Sequence, residues 1–442
     1  VHATGASVAR AVDPAAGWCL KTDMNYDRTR TMTDVDLFVT ALLTSPVDAP
    51  TICAGDLTVD GLLNGLDIAL WITVWLSPDN DGDGIPNMFE TNDGAFTSAT
   101  ATGSDPNNAD TDGDSLTDGD EVYDTVAGLD LHAMGCSPVR KNICIEADWF
   151  DDAEGAPAHS HRPGSTAINQ LKTAFTNSPV VNPYGGPTGI TVVFDYGSGG
   201  AFTGGNLIPG GDTIVLFDSE FNTYKAANFN PNRNGYFHYS IFCHRYNSVT
   251  NNSSGIAEFP GDDFIVSLQN FLSATNISRT IMHELGHNLN IRHGGFENLN
   301  YKPNYNSVMN YRYQFPGVDL DISCNAIGDG VLDYSRGTRI TLDENNLDEA
   351  AGVCGATPID WNGDTVISAG VARNITCAAS LTFACGSWDS NNCNDTVCSA
   401  SLADFNDWAA VSFTGIFNAD FVAAQPEIIT CQDTPEASVP GD

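Results

Sequence analysis

The chain is poor in positive charge. Its 442 residues hold 18 lysines and arginines against 56 aspartates and glutamates, a formal net charge of −38. Such a surface repels nucleic-acid phosphates and anionic lipid headgroups, which argues against both as partners. Long apolar runs are missing as well. The longest, residues 66–76, is too short to span a bilayer and carries Asp67, so no membrane span is expected. None of the twelve cysteines belongs to a C-x-x-C zinc pair, and Cys393 and Cys398 are the nearest two. An even, scattered set reads instead as disulfides of undetermined connectivity. That implies an oxidising compartment, and so a secreted, extracellular or cell-surface protein. No signal peptide is visible at Val1, which predicts a mature or trimmed form. At this length the chain has room for about two to four domains.

The most informative stretch is 281–293, Ile-Met-His-Glu-Leu-Gly-His-Asn-Leu-Asn-Ile-Arg-His. On a helix, His283 and His287 share one face and both imidazoles can reach one metal ion. Glu284 stands beside them, placed to take a proton from a water at that metal. His293 becomes a third ligand only if the chain leaves the helix after His287. Asn290 falls where that turn is needed, and Asn tolerates a left-handed backbone better than most residues. Three neutral His ligands leave an open zinc position, a catalytic rather than a structural pattern.

Downstream lies Asn-Tyr-Asn-Ser-Val-Met-Asn-Tyr at 304–311. The long histidine motif followed by this run resembles the metzincin metalloproteases. The resemblance implies that Met309 lies beneath the metal in a Met-turn and that Tyr311 stands near it. It departs at Asn290, where that family usually has Gly.

Residues 19–76 contain two Asp-rich loops, each followed by an apolar helical pattern. In the second, Asp56, Thr58, Asp60, Asn64 and Asp67 follow a calcium-loop scheme with Gly61 at the sharp turn. The first, Asp23, Asn25, Asp27 and Asp34, has Arg28 at the Gly position. Paired loops of this kind resemble a dockerin, which implies a cohesin-like partner or a larger extracellular assembly. The alternative is a pair of stabilising loops without a partner. Two more loops follow. Asp79, Asp81, Asp83, Ile85 (through its carbonyl) and Glu90 fit the EF-hand ligand order, with Gly84 at the turn. Asp110, Asp112, Asp114, Leu116 (through its carbonyl), Asp118 and Glu121 repeat it, with Ser115 at the turn. They resemble thrombospondin type 3 calcium repeats; the alternative is an acidic linker.

From Cys136 the texture changes to alternating apolar segments. Residues 140–150, 190–195, 213–217, 236–246 and 264–268 read as strands. Residues 165–175 read as a helix with Ala167, Leu171 and Phe175 on one face. The motif helix is expected at about 277–290, with Thr275 or Asn276 as N-cap. By the metzincin resemblance, 236–246 is the antiparallel edge strand that pairs with substrate. His238 and His244 share a face of that strand; they could bind a second metal, but solvent-facing or hydrogen-bonded histidines are the default for both. His159 and His161 read as loop residues, with a metal or substrate role as the lesser alternative. Residues 342–350 read as an acidic, solvated helix, Asp360, Asn362 and Asp364 as an incomplete calcium loop, and 402–408 as a capped helix start.

The expected organisation is a dockerin-like module at 1–76, calcium repeats at 77–135, a metalloprotease domain at 136–431 and a disordered tail at 432–442. The expected fold class is α+β. A mixed, twisted five-stranded sheet with its active-site helix sits above a loop-rich, disulfide-containing lower half, preceded by small helical calcium modules. The expected function is a secreted zinc endopeptidase acting on protein or peptide, with Zn2+ and Ca2+ as cofactors. The rival reading is an extracellular structural or adhesive protein carrying a weakly active or inactive protease scaffold.

Overall fold

The computed structural model describes residues 19–413 apart from 28, 45–46, 126, 153–158, 216, 271–272, 378–381 and 386–397, together with the strand backbone at 427–430. The tail expected at 432–442, Arg28, Cys393 and Cys431 lie outside the described residues. The chain forms two compact units. One comprises Val1–Ile143, Val181–Val193 and Pro231–Arg233, and the other the remainder.

The first unit opens with helices α1 (Met32–Leu43), α2 (Ala49–Gly55) and α3 (Ile68–Trp75). Thr31 and Asp34 form a capping box that starts α1. The two N-terminal loops are built alike. Asp34 accepts the N–H groups of Met24 and Asn25, and Asp67 those of Leu57 and Thr58. Phe38 and Trp71 stack at 4.3 Å and join α1 to α3, while Cys19–Cys53 ties the loop start to α2. In the third and fourth loops, Asp79 accepts from Gly82 and Gly84, and Asp110 from Gly113 and Ser115. Gly84 and Ser115 take φ of 99° and 76°, so the Ser adopts the left-handed turn that Gly occupies in the sister loop. Ile85 and Leu116 point their side chains into the unit's core. The fourth loop ends in α4 (Asp118–Val122), and α5 (Leu131–Met134) follows, closed by Gly135 at φ 104°.

The main sheet has strands β1 (Asn142–Trp149), β2 (Thr191–Asp195), β3 (Phe237–Phe242), β4 (Gly255–Phe259), β5 (Asp263–Val266) and β6 (Glu427–Thr430). Their order is β6-β4-β5-β3-β1-β2, six strands rather than the five expected. β3 runs parallel to both β1 and β5; β4 is antiparallel to β5 and to β6. This corrects the reading of 236–246 as an antiparallel edge. All six residues of β3 are buried, as a strand sandwiched between parallel neighbours requires. The antiparallel strand is β4, two places from β3 with β5 between them. The strand expected at 213–217 is only Thr213–Ile214, paired with Arg245–Tyr246, because helix α7 (Phe217–Asn228) begins there.

Helix α6 (Ser165–Thr176) buries Ala167, Ile168, Leu171 and Phe175. It packs on α8 (Ala274–Asn288), which in turn covers β4 and β5. The N-cap of α8 is Ser273, whose side chain accepts from Asn276 N–H; Thr275 and Asn276, expected as caps, are inside the helix.

Below α8 the chain is loop-rich, with short helices α9 (Tyr311–Gln314) and α10 (Asp407–Ala410) and a core around Leu342, Leu347, Trp361, Ile375 and Leu402. Disulfides Cys324–Cys354 and Cys385–Cys398 staple it. Not every cysteine is a half-cystine, however, since Cys243 is a buried thiol. The acidic run 342–350 is not a solvated helix. Glu344 and Glu349 are fully buried, and their carboxylates accept backbone N–H groups: Ile375 and Ser399 for Glu344, Trp361 and Ser368 for Glu349. Loop backbone buried without a ladder needs acceptors, and these two glutamates supply them.

Candidate metal centre

The helix α8 places His283 and His287 one turn apart, as their spacing requires. It ends in a Schellman arrangement: Ile291 N–H donates to the Gly286 carbonyl and Asn290 N–H to the His287 carbonyl. Asn290 takes φ 71°, the left-handed conformation this motif needs. The chain turns back and His293 joins the other two. The three ring centroids are 4.9 Å (283–287), 5.2 Å (283–293) and 4.8 Å (287–293) apart.

Each helical imidazole is oriented by a backbone carbonyl. His283 Nδ1 lies 2.8 Å from the Val308 carbonyl, and His287 Nδ1 lies 2.8 Å from that of Ile291. A neutral ring donating through Nδ1 keeps its lone pair on Nε2, and second-shell carbonyls of this kind are what metal-binding histidines use. His283 Nε2 and His293 Nε2 are 3.3 Å apart. His287 Nε2 is buried with no hydrogen-bond partner among the described residues. Burial holds His283 down at about 4 and pushes His287 and His293 well below the usual histidine range. Three neutral, converging imidazoles with an orphaned nitrogen fit a divalent transition metal.

The surroundings explain several motif positions. Gly286 has no room for a side chain: a Cβ would run into Met309 Sδ and come within 2.9 Å of Tyr334 Oη. Met309 is fully buried beneath the helix at that point. Gly255, the first residue of β4, lies directly against Glu284; a Cβ there would overlap the carboxylate. Tyr311 packs its ring 4.4 Å from His293 and 5.8 Å from His283. Along 304–311, Asn304 donates to the Ile340 and Leu402 carbonyls, and Tyr305 donates its hydroxyl to Asp407. Asn310 donates to the Lys302 and Tyr305 carbonyls and caps α9. The run is therefore a brace for the turn that supplies the Val308 carbonyl. The roles of Gly255, Tyr334 and Asp407 carried no sequence signal, since each acts through a contact distant in the chain.

The sister loops of the first unit bring carboxylates together in groups that include Asp79, Asp81 and Asp83; Asp110, Asp112 and Asp114; and Asp83, Glu90 and Asp118, the last joining both loops. Burial, aided by neighbouring carboxylates, raises Asp83 and Asp114 to about 7, Glu90 and Asp118 to about 8, and Asp112 to about 9. In the second loop the Asp67 carboxylate goes the other way: despite partial desolvation, the Asn64, Thr58 and Leu57 N–H groups hold it below the usual carboxylate range.

His238, expected to share a face with His244, does not. It is buried in β3 against Asn288, with its Nδ1 3.2 Å from the Asn288 side-chain oxygen.

No protein-family model and no curated protein matches the chain. Among solved structures, an archaemetzincin from Methanopyrus kandleri aligns at 15% identity over 39% of this chain and 81% of that one, with a TM-score of 0.24. A likeness that loose carries no weight for function.

Proposed function

We propose that the second unit is a zinc-dependent endopeptidase of metzincin type, with His283, His287 and His293 as metal ligands. What carries the reading is the buried histidine triangle, two of its rings oriented by backbone carbonyls, with Glu284, next to His283 on the helix, packed against Gly255. Zinc bound there would lower the pKa of a water and polarise the scissile carbonyl. Glu284 accepts the proton of the attacking water and passes it to the leaving amine. Tyr311, packed against His283 and His293, donates a hydrogen bond to the developing oxyanion, worth about 2–4 kcal/mol by comparison with other such donors. Met309 and Gly286 keep the helix seated under the metal. An extended substrate would compete with β6 for the outer edge of β4, the strand that passes Glu284. A general base set beside the triangle is what a dead adhesive scaffold would not need.

The acidic loops take calcium in the same reading. Asp79, Asp81, Asp83, Glu90 and the Ile85 carbonyl serve one site, and Asp110, Asp112, Asp114, Asp118, Glu121 and the Leu116 carbonyl the other. The N-terminal pair, with Asp23, Asn25, Asp27 and Asp34, and Asp56, Thr58, Asp60, Asn64 and Asp67, forms a dockerin-like module for a cohesin-like partner. Disulfides, and the lack among the described residues of a helix long and apolar enough to cross a membrane, suit a secreted protein.

The test is metal-dependent hydrolysis. A zinc chelator used in excess calcium should abolish cleavage of unstructured peptides, and added zinc should restore it. Cleavage that survives complete zinc removal would overturn the reading.

A further inference from the structure

A second histidine triangle stands in the same unit. His159 lies in the short ladder His159–Ser160, paired with Asp151–Asp152. His161 follows, its N–H donating to the Phe150 carbonyl. His244 lies just beyond the carboxyl end of β3, its N–H donating to the Asp212 carbonyl. The three thus gather beyond the carboxyl ends of β1 and β3, parallel neighbours at the centre of the sheet, where open α/β sheets place their ligands.

Their ring centroids are 4.6 Å (159–161), 5.5 Å (161–244) and 5.7 Å (159–244) apart. One ring nitrogen from each lies within 4.8 Å of the other two. These spacings come close to those of His283, His287 and His293. His161 is buried, and His159 and His244 are half-buried, so this is not a patch of surface side chains. His159 Nε2 lies 3.1 Å from the Gln269 carbonyl. A neutral ring donating there carries its lone pair on Nδ1, the arrangement the Val308 and Ile291 carbonyls give the first triangle through the opposite nitrogen.

We propose that His159, His161 and His244 form a second transition-metal site, with zinc the expected ion. All three ligands are imidazoles, which suit zinc, copper, nickel or iron rather than calcium or magnesium. The ion would clamp the 159–161 segment to the end of β3. The site shares no residue with the His283 triangle, so it stands whether or not that triangle is catalytic.

The test is zinc content of the full-length protein, equilibrated with buffered free zinc in excess calcium and then desalted. The wild type should hold two equivalents. His244→Gln and, separately, His159→Gln should each lose one, while His287→Gln should lose the other. The double variant His244→Gln with His287→Gln should hold none. X-ray absorption on the wild-type protein gives an independent readout free of folding effects, and should report an all-imidazole nitrogen and oxygen shell averaged over two zinc ions. A single equivalent in the wild type, unchanged by His244→Gln, would overturn the proposal. So would a second equivalent that persists in both His244→Gln and His159→Gln.

Discussion

Asn290 offers a clean perturbation, because its side chain is exposed while its backbone holds φ 71°. Little packing is lost when it is replaced, so any effect reports the turn. An ordinary L-residue in the left-handed conformation costs about 1–2 kcal/mol, with Asn at the low end and a β-branched residue at or above the high end. Gly carries no such penalty. His293 reaches the other two imidazoles only when this turn is closed. Relative to the wild-type Asn, a β-branched residue adds about 1 kcal/mol or more against closure, which lowers zinc affinity about 5-fold. Asn290→Val should therefore bind zinc at least that much more weakly. Asn290→Gly, freed of that penalty, should bind zinc up to about 5-fold more tightly than wild type, and Asn290→Ala should fall between wild type and Asn290→Val. Competition with a chromophoric zinc chelator, with far-ultraviolet circular dichroism to confirm folding, measures this. A folded Asn290→Val protein with wild-type zinc affinity would refute the idea that this turn positions His293.

Other outcomes come from packing and charge. Gly286→Ala should lower the denaturation midpoint. Forcing Met309 and Tyr334 apart costs about 1–3 kcal/mol, offset by about 1 kcal/mol of helix propensity, and a midpoint raised by that propensity gain would mean Met309 does not press on the helix. Asp407 is raised to about 7 by burial, so between about pH 4 and 7 the folded chain keeps a proton that the unfolded chain has released. Stability should fall across that window by up to about 4 kcal/mol from this group alone. Asp407→Asn should flatten that slope in urea titrations at a series of pH values; parallel slopes would contradict it. Calcium removal by a selective chelator should expose residues 1–135 to limited proteolysis before zinc is lost, whereas simultaneous loss of both would argue against separate modules.

What the sequence revealed was mostly local. The i, i+4 histidines, the Asn at the turn and the 165–175 face are short-range patterns, and helix geometry translates them directly. The strand order was not local. Residues 237–242, Phe-His-Tyr-Ser-Ile-Phe, alternate apolar and polar as far as Ile241, the pattern of a half-buried strand, yet both faces are buried, because His238 and Ser240 find hydrogen-bond partners inside the protein. Reading them as an edge followed the family resemblance. Glu344 and Glu349 sit in a run with helical spacing, yet their carboxylates serve backbone from residues up to 55 positions away. The second histidine triangle was hidden for the same reason, as His244 meets His159 and His161 only once β1 and β3 pair. A metal role was an alternative for His159 and His161 and for His244 with His238, but nothing in the chain brought the first two together with His244.

The central claim is that Glu284 performs peptide hydrolysis beside a zinc held by His283, His287 and His293. Its most direct test is digestion of a mixed peptide library by wild type beside Glu284→Ala, both loaded with zinc and calcium, with cleavage products identified by mass spectrometry. The account predicts cleavage by wild type alone, at sites sharing a subsite preference, with equal zinc content in both proteins. Equal cleavage by both, or none by either with zinc in place, would contradict it.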